Sequence, residues 1–170
     1  MVNILAVVTD TFNDDYINKI MPIIKLANGE NNNILYISLS KTYKSIAMQL
    51  QQNNIDISKF FFIDTITSSL IEPVPVDNCI FLKTANNTKK LYQTIIKIIK
   101  ERKINIIVFD SLSTLTTYKN MDEIINFTSL LTGSLSALNC SSVFICLKID
   151  KNYRLIQHVK MNVEKLIELD

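Results

Sequence analysis

Apolar residues in this chain arrive in short, nearly unbroken runs: NILAVV at 3–8, ILYIS at 34–38, FFFI at 60–63, INIIVF at 104–109 and VFICL at 143–147. A strand with one face in water alternates apolar and polar residues, whereas a strand covered on both faces reads as a continuous run. Between the runs, apolar residues recur with helical spacing. Ile17, Ile20, Met21, Ile24 and Ala27 share one face, as do Tyr43, Ile46, Ala47 and Leu50. Leu91, Ile95, Ile98 and Ile99 repeat the pattern, and so do Ile124, Phe127, Leu131, Leu135 and Leu138. Strands alternating with helices predict an α/β fold of three layers, a mainly parallel sheet between helices. A chain of 170 residues is long enough to bury such a core, and a single domain over 1–170 is expected.

The strands are placed at Asn3–Val8, Ile34–Ser38, Phe60–Ile63, Ile104–Phe109 and Val143–Leu147, with a minor one at Cys79–Lys83 and a final apolar segment at Leu166–Leu169. Pro22 removes the amide that would bond to the Asn18 carbonyl, so the first helix either kinks there or starts near Ile20. The polar run Asn28–Asn33 ends it, and Asp64 closes the third strand. Pro73 and Pro75 mark an extended connection. A helix over Thr88–Lys103 turns its lysines outward, and another opens at Asn120 with Glu123 three residues on, close to a capping box.

Composition removes several function classes. One histidine, His158, leaves no His-rich zinc site and no histidine-paired nucleophile. Cys79, Cys140 and Cys146 form no CxxC pair, and an odd number argues for buried free thiols rather than a secreted disulfide framework. The N-terminus meets acids soon after a short apolar stretch and reads as a first strand, not a signal peptide, so a cytoplasmic location without a membrane span is expected. A net charge of +2 gives no nucleic-acid footprint, and the lysines of the Thr88–Lys103 helix lack interleaved aromatics and read as a solvated face.

Ligands of open parallel sheets bind beyond the carboxyl ends of the strands. The residues to examine are therefore Thr9–Asp15, Ser40–Thr42, Asp64, Asp110–Ser113 and Lys148–Asp150. Asp10, Asp14 and Asp15 could gather there with Asp64 and Asp110 around magnesium or calcium, or form a solvated loop with helix-capping residues; the loop is favoured. Asp110 itself could cap a turn, and Ser111 and Ser113 read as turn formers.

The order of these pieces resembles the RecA-like ATPases and, within them, the KaiC-like branch. ILYISLSKTYKSIAMQL resembles that branch's second strand and helix, IIVFDSLSTL its Walker B strand with the trailing D-S-x-S, SSVFICL the following strand and VEKLIELD the closing one. The resemblance implies a sheet ordered 5-1-4-3-2, with Val143–Leu147 inserted between the Walker B strand and the first strand. It implies Asp110 as the residue that holds magnesium, with magnesium and ATP as the cofactors of such a site; Ser111, Ser113, Lys41 and Lys148 are candidate ligand residues by their place at the carboxyl edge of the sheet. A protein partner or a homo-oligomer is also expected of this fold.

Its phosphate loop is absent. A Walker A loop needs GxxxxGK[ST], so that backbone amides wrap the phosphates and a lysine neutralises them. With only two glycines in the chain, the corresponding stretch is VVTDTFNDDYI. Asp10 and Asp15 hold the glycine positions, and Tyr16 and Ile17 replace the lysine and the hydroxyl residue. Acids at a helix N-terminus occupy the spot where a triphosphate would sit and repel it. Ser40 and Lys41 stand where the branch has its catalytic glutamate. The expectation is a degenerate, non-catalytic ATPase domain acting as a regulatory or sensory interaction module. The alternative is a divergent nucleotide-binding protein or ATPase holding phosphate by Lys41 and Lys148.

Overall fold

The computed structural model describes residues 1–9, 16–29, 32–83, 85–149 and 152–169. Among these, seven strands form one sheet in the order β4-β3-β2-β5-β6-β1-β7. They are β1 (Asn3–Val8), β2 (Ile34–Ser38), β3 (Phe60–Asp64), β4 (Cys79–Phe81), β5 (Ile106–Asp110), β6 (Ser141–Leu147) and β7 (Lys165–Leu169). Every neighbouring pair is parallel. The run β7-β1-β6-β5-β2 is the order 5-1-4-3-2, extended at one side by β3 and β4. As expected, β6 lies between β5 and β1.

Side-chain alternation divides the core in two. Ile4, Ala6, Ile34, Tyr36, Phe60, Phe62, Val108, Val143 and Ile145 meet α1 (Tyr16–Ala27) and α2 (Tyr43–Gln52). On the other face, Leu5, Val7, Leu35, Ile37, Phe61, Ile63, Ile107, Phe109, Phe144 and Cys146 pack against α4 (Thr88–Glu101), α6 (Met121–Ala137) and α7 (Tyr153–Lys160). Two single-turn helices, α3 (Thr67–Leu70) and α5 (Leu112–Leu115), follow β3 and β5. They are too short to carry a periodic signal.

The first helix differs from expectation. It begins at Tyr16 and runs through Pro22. Proline deletes one amide bond, but Ile20, Met21, Ile23, Ile24 and Ala27 are buried around it, and that burial holds the helix together. The Walker B strand starts at Ile106 rather than Ile104, because the amide of Ile104 is used to close α4 on Ile99.

That closure is one of three alike. α2, α4 and α6 each end on a left-handed residue, Asn54, Lys103 and Asn139, with φ of 59°, 51° and 53°. The next residue donates to a carbonyl five positions back: Ile55 to Leu50, Ile104 to Ile99, Cys140 to Leu135. These are Schellman caps with their apolar contact, made without glycine. The opening of α6 is also as expected, Asn120 Oδ1 accepting from the Glu123 amide at 2.9 Å. The three cysteines are buried free thiols. Among the described residues no helix is long and apolar enough to cross a membrane.

Candidate functional site at the carboxyl edge of the sheet

Register aligns three polar strand ends. Ser38 at the end of β2 lies opposite Asp64 on β3 and Asp110 on β5. By alternation all three share the face of Tyr36, Phe62 and Val108, so they point toward the N-terminal ends of α1 and α2. An Asp after an apolar run is placed here by strand length and parity alone.

Asp110 is 1% exposed. Its Oδ1 accepts from the hydroxyl of Tyr16, the first residue of α1, and its Oδ2 from the hydroxyl of Tyr36 at 2.6 Å. Burial raises the Asp110 pKa above the usual carboxylate range, against the opposing pull of the two phenols and of Lys41. Both phenols are pushed well above their ordinary value, by burial first and by the Asp110 charge second. Burial thus opposes charge on all three groups, while the two phenol hydrogen bonds favour the ionised carboxylate. Lys41 places its ammonium 5.4 Å from the centroid of the Tyr16 ring, a cation–π contact that fixes the ring from outside. The Asp110–Ser111 peptide is cis.

Asp64 serves the backbone. Oδ2 accepts from the Tyr43 amide at 2.6 Å and the Thr67 hydroxyl at 2.5 Å, and Oδ1 from the amides of Ile66 and Thr67 at 2.7 and 2.9 Å. One carboxylate thus satisfies amides at the starts of α2 and α3. Ser38 Oγ donates to the Lys41 carbonyl at 2.6 Å and closes the turn between β2 and α2.

A cavity of about 300 Å³ opens at this edge, lined by Tyr16, Ser40, Lys41, Ser111, Thr114 and Leu147. Of the sequence-predicted residues, Lys41 and Ser111 meet in it. Asp110 lies buried alongside, bonded to Tyr16 of its wall. Ser113 belongs to a different network, where its Oγ accepts from the Leu147 amide at 2.7 Å and from Asn152 Nδ2 at 3.0 Å. Lys148 is on the surface in an ion pair with Glu168 at 3.1 Å. Asp10, Asp14, Asp15 and Asp150, and with them most of the phosphate-loop stretch, lie outside the described residues. Among the described residues no three His, Cys, Asp or Glu side chains stand close enough to hold a metal.

Sequence reasoning placed Tyr16 only as a missing lysine and did not single out Tyr36. The available signal was chemical: a tyrosine inside a fully apolar strand, two positions before its end, must find a partner for its hydroxyl.

Residues 23–170 match the family described as the KaiC ATPase. The chain belongs to the KaiC-like ATPase family. A solved structure of a KaiC-like protein from the hyperthermophilic archaeon Pyrococcus horikoshii is similar to it, with a TM-score of 0.68 and 12% identity over 99% of this chain and 71% of that one. At that identity the likeness speaks for the fold. Among curated proteins, none matches the chain.

In this KaiC-like domain the described residues at the sheet edge do not fit magnesium. A hard divalent cation needs a carboxylate oxygen facing the ligand, directly or through water. Both Asp110 oxygens instead accept phenolic hydrogen bonds, and the residue is 1% exposed. The residues at 10–15 contain neither glycine nor lysine, so their sequence offers no phosphate cradle.

Proposed function

We propose that this chain is a non-catalytic KaiC-like domain that acts as a cytoplasmic regulatory or sensory protein-interaction module. The observation that carries the reading is the pair of phenols, Tyr16 and Tyr36, on the two oxygens of Asp110. Phosphoryl transfer is catalysed almost entirely by positioning and charge stabilisation. Here the metal carboxylate is capped, a phenol replaces the phosphate-binding lysine, and Ser40 and Lys41 replace the water-orienting acid. What is left is a fold and its surfaces.

The interaction part of the reading is supported by the connection between α3 and β4. Leu70, Ile71 and Val74 are 69%, 66% and 80% exposed in the stretch that leads into β4, an edge strand of three residues. Exposed apolar residues in a connection that leads into an edge strand are a contact open to a second chain, whether a partner protein or another copy.

A second reading, a divergent nucleotide-binding protein, is favoured by Lys41 alone, since Lys148 is engaged by Glu168. Steady-state ATP hydrolysis separates the two. The non-catalytic reading expects the same background rate for the wild type and for Lys41→Ala. Turnover that drops in the variant would establish the enzyme.

A further inference from the structure

The two glycines of the chain sit in different settings. Gly133 lies inside α6 and follows Thr132, whereas Gly29 follows Asn28 just past Ala27, the last residue of α1. Asn28 is thus the one asparagine of the sequence with a glycine after it. The local bonds leave this pair chemically open. The Asn28 amide makes the last helical bond, to the Ile24 carbonyl at 2.9 Å, and the Gly29 carbonyl accepts from the Asn32 amide at 3.1 Å. The Gly29 amide itself donates to no acceptor among the described residues. Asn28 Oδ1 has no hydrogen-bond partner either, so no bond through that oxygen has to break when the carboxamide turns toward the backbone. Asn54 and Asn139, at the ends of α2 and α6, differ on this point. There the next amide is committed, Ile55 to Leu50 at 3.0 Å and Cys140 to Leu135 at 2.9 Å, and the next side chain is bulkier.

We propose that Asn28–Gly29 is a site of spontaneous covalent modification, at which the asparagine carboxamide converts to aspartyl and isoaspartyl linkages with water as the co-reactant, loosening the end of α1. The Gly29 amide nitrogen loses its proton and attacks Asn28 Cγ. The new N–Cγ bond closes a five-membered succinimide ring, the Cγ–Nδ2 bond breaks, and Nδ2 leaves as ammonia with the proton. Water then adds to one of the two ring carbonyls and breaks its bond to nitrogen. Opening at Cγ restores the ordinary chain with a carboxylate at position 28. Opening at the backbone carbonyl leaves the chain running through the side chain, one carbon longer. Glycine suits the step because it has no Cβ to obstruct the attack and turns freely about its backbone. Both residues are half-buried, so water reaches them. Either product disturbs the end of α1. A carboxylate there sits at the negative end of the helix, against which Lys25 is the basic residue of the last turn. The longer isoaspartyl chain also displaces the turn in which Asn32 donates from its amide to Gly29 and from Nδ2 to the Ala27 carbonyl at 2.7 Å. None of this depends on whether the domain is catalytic.

The test is prolonged incubation of the folded full chain at mildly alkaline pH, followed by proteolysis and peptide mass spectrometry with chromatographic separation of the aspartyl and isoaspartyl forms. The expected result is a steady gain of both forms at position 28 while Asn54 and Asn139 stay unchanged. Gly29→Ala is expected to slow the conversion at least about tenfold. That variant keeps the fold: Gly29 does not hold a positive φ, and the nearest atom an added Cβ meets is Asn32 Nδ2, at 3.3 Å at the end of a side chain. Asn28→Gln, whose longer carboxamide would have to close a six-membered ring, is expected to give no product over the same period and serves as a second variant. Converted wild type is expected to melt at least about 2 °C below fresh protein, and incubated Asn28→Gln is expected to show no such fall. No conversion at Asn28 in the folded chain, conversion seen only in denaturant, or an equal rate in Gly29→Ala overturns the proposal. An unchanged midpoint in fully converted protein overturns its effect on α1.

Discussion

The hydroxyl of Tyr36 donates to Asp110 Oδ2 at 2.6 Å, across the same pair of strands whose register sets Ser38 opposite Asp110. Tyr36 is fully buried, its ring centroid 6.0 Å from that of Phe62, so the phenol has no water to turn to. Tyr36→Phe keeps the ring and removes the donor, leaving a buried carboxyl oxygen unpaired. The expected loss is about 1–3 kcal/mol in denaturant unfolding. An unchanged midpoint would show that the bond contributes nothing.

Asp64 is the more demanding residue structurally. Asp64→Ala strands three amides and a hydroxyl at the starts of two helices, and an expected loss of about 2–4 kcal/mol follows. Urea unfolding of Asp64→Ala beside Asp64→Asn checks it, with the asparagine, which keeps one acceptor, falling in between.

The acidity of the buried groups fixes a pH dependence. In the unfolded chain the Asp110 carboxyl ionises near pH 3.9, whereas in the fold burial keeps it protonated to higher pH. Between those two values the folded state holds the extra proton, so stability falls as pH rises through the window. Asp110→Asn has no such proton to lose. Its stability relative to the wild type should therefore grow from about pH 4 upward and level off above the folded value. A second decline is expected from about pH 9, because burial pushes the Cys79 and Cys140 thiols to about 12 and Cys146 to about 11. Denaturant unfolding of both proteins from pH 4 to pH 10 reads both effects, and curves that stay parallel below pH 8 would contradict the first.

Lys103 holds φ at 51° at the end of α4, in a conformation that an L side chain adopts only with strain. The other two caps of the same kind use asparagine, which tolerates it better. Lys103→Gly should stabilise the protein by up to about 1 kcal/mol, read as a higher melting midpoint. Lys103 is exposed, so no packing is lost.

Most of the sheet was legible because its strands are buried on both faces and announce themselves as apolar runs. The Val143–Leu147 insertion and the closing Lys165–Leu169 strand followed from family resemblance rather than from periodicity. What escaped reading was local. α3 and α5 are single turns held by Asp64 and by Ser111, Ser113 and Thr114, and no period exists over four residues. The first helix starts at Tyr16 despite Pro22, since tertiary burial outweighs one lost amide bond. At the site, Lys41 and Ser111 were legible as residues of the ligand-facing edge. The partnership of Tyr16 with Tyr36 was not, because it joins residues 20 positions apart in the chain through a carboxylate 74 residues further on. Ser113 and Lys148 share the same edge by sequence position, but α5 turns Ser113 toward β6, and Glu168 on β7 engages Lys148.

The central claim is that Asp110 is capped by phenols and no longer serves a metal and nucleotide. Isothermal titration of magnesium ATP into the wild type and into Asp110→Asn tests it most directly. The account predicts no binding in the micromolar range in either protein. A micromolar site in the wild type that vanishes in Asp110→Asn would contradict it.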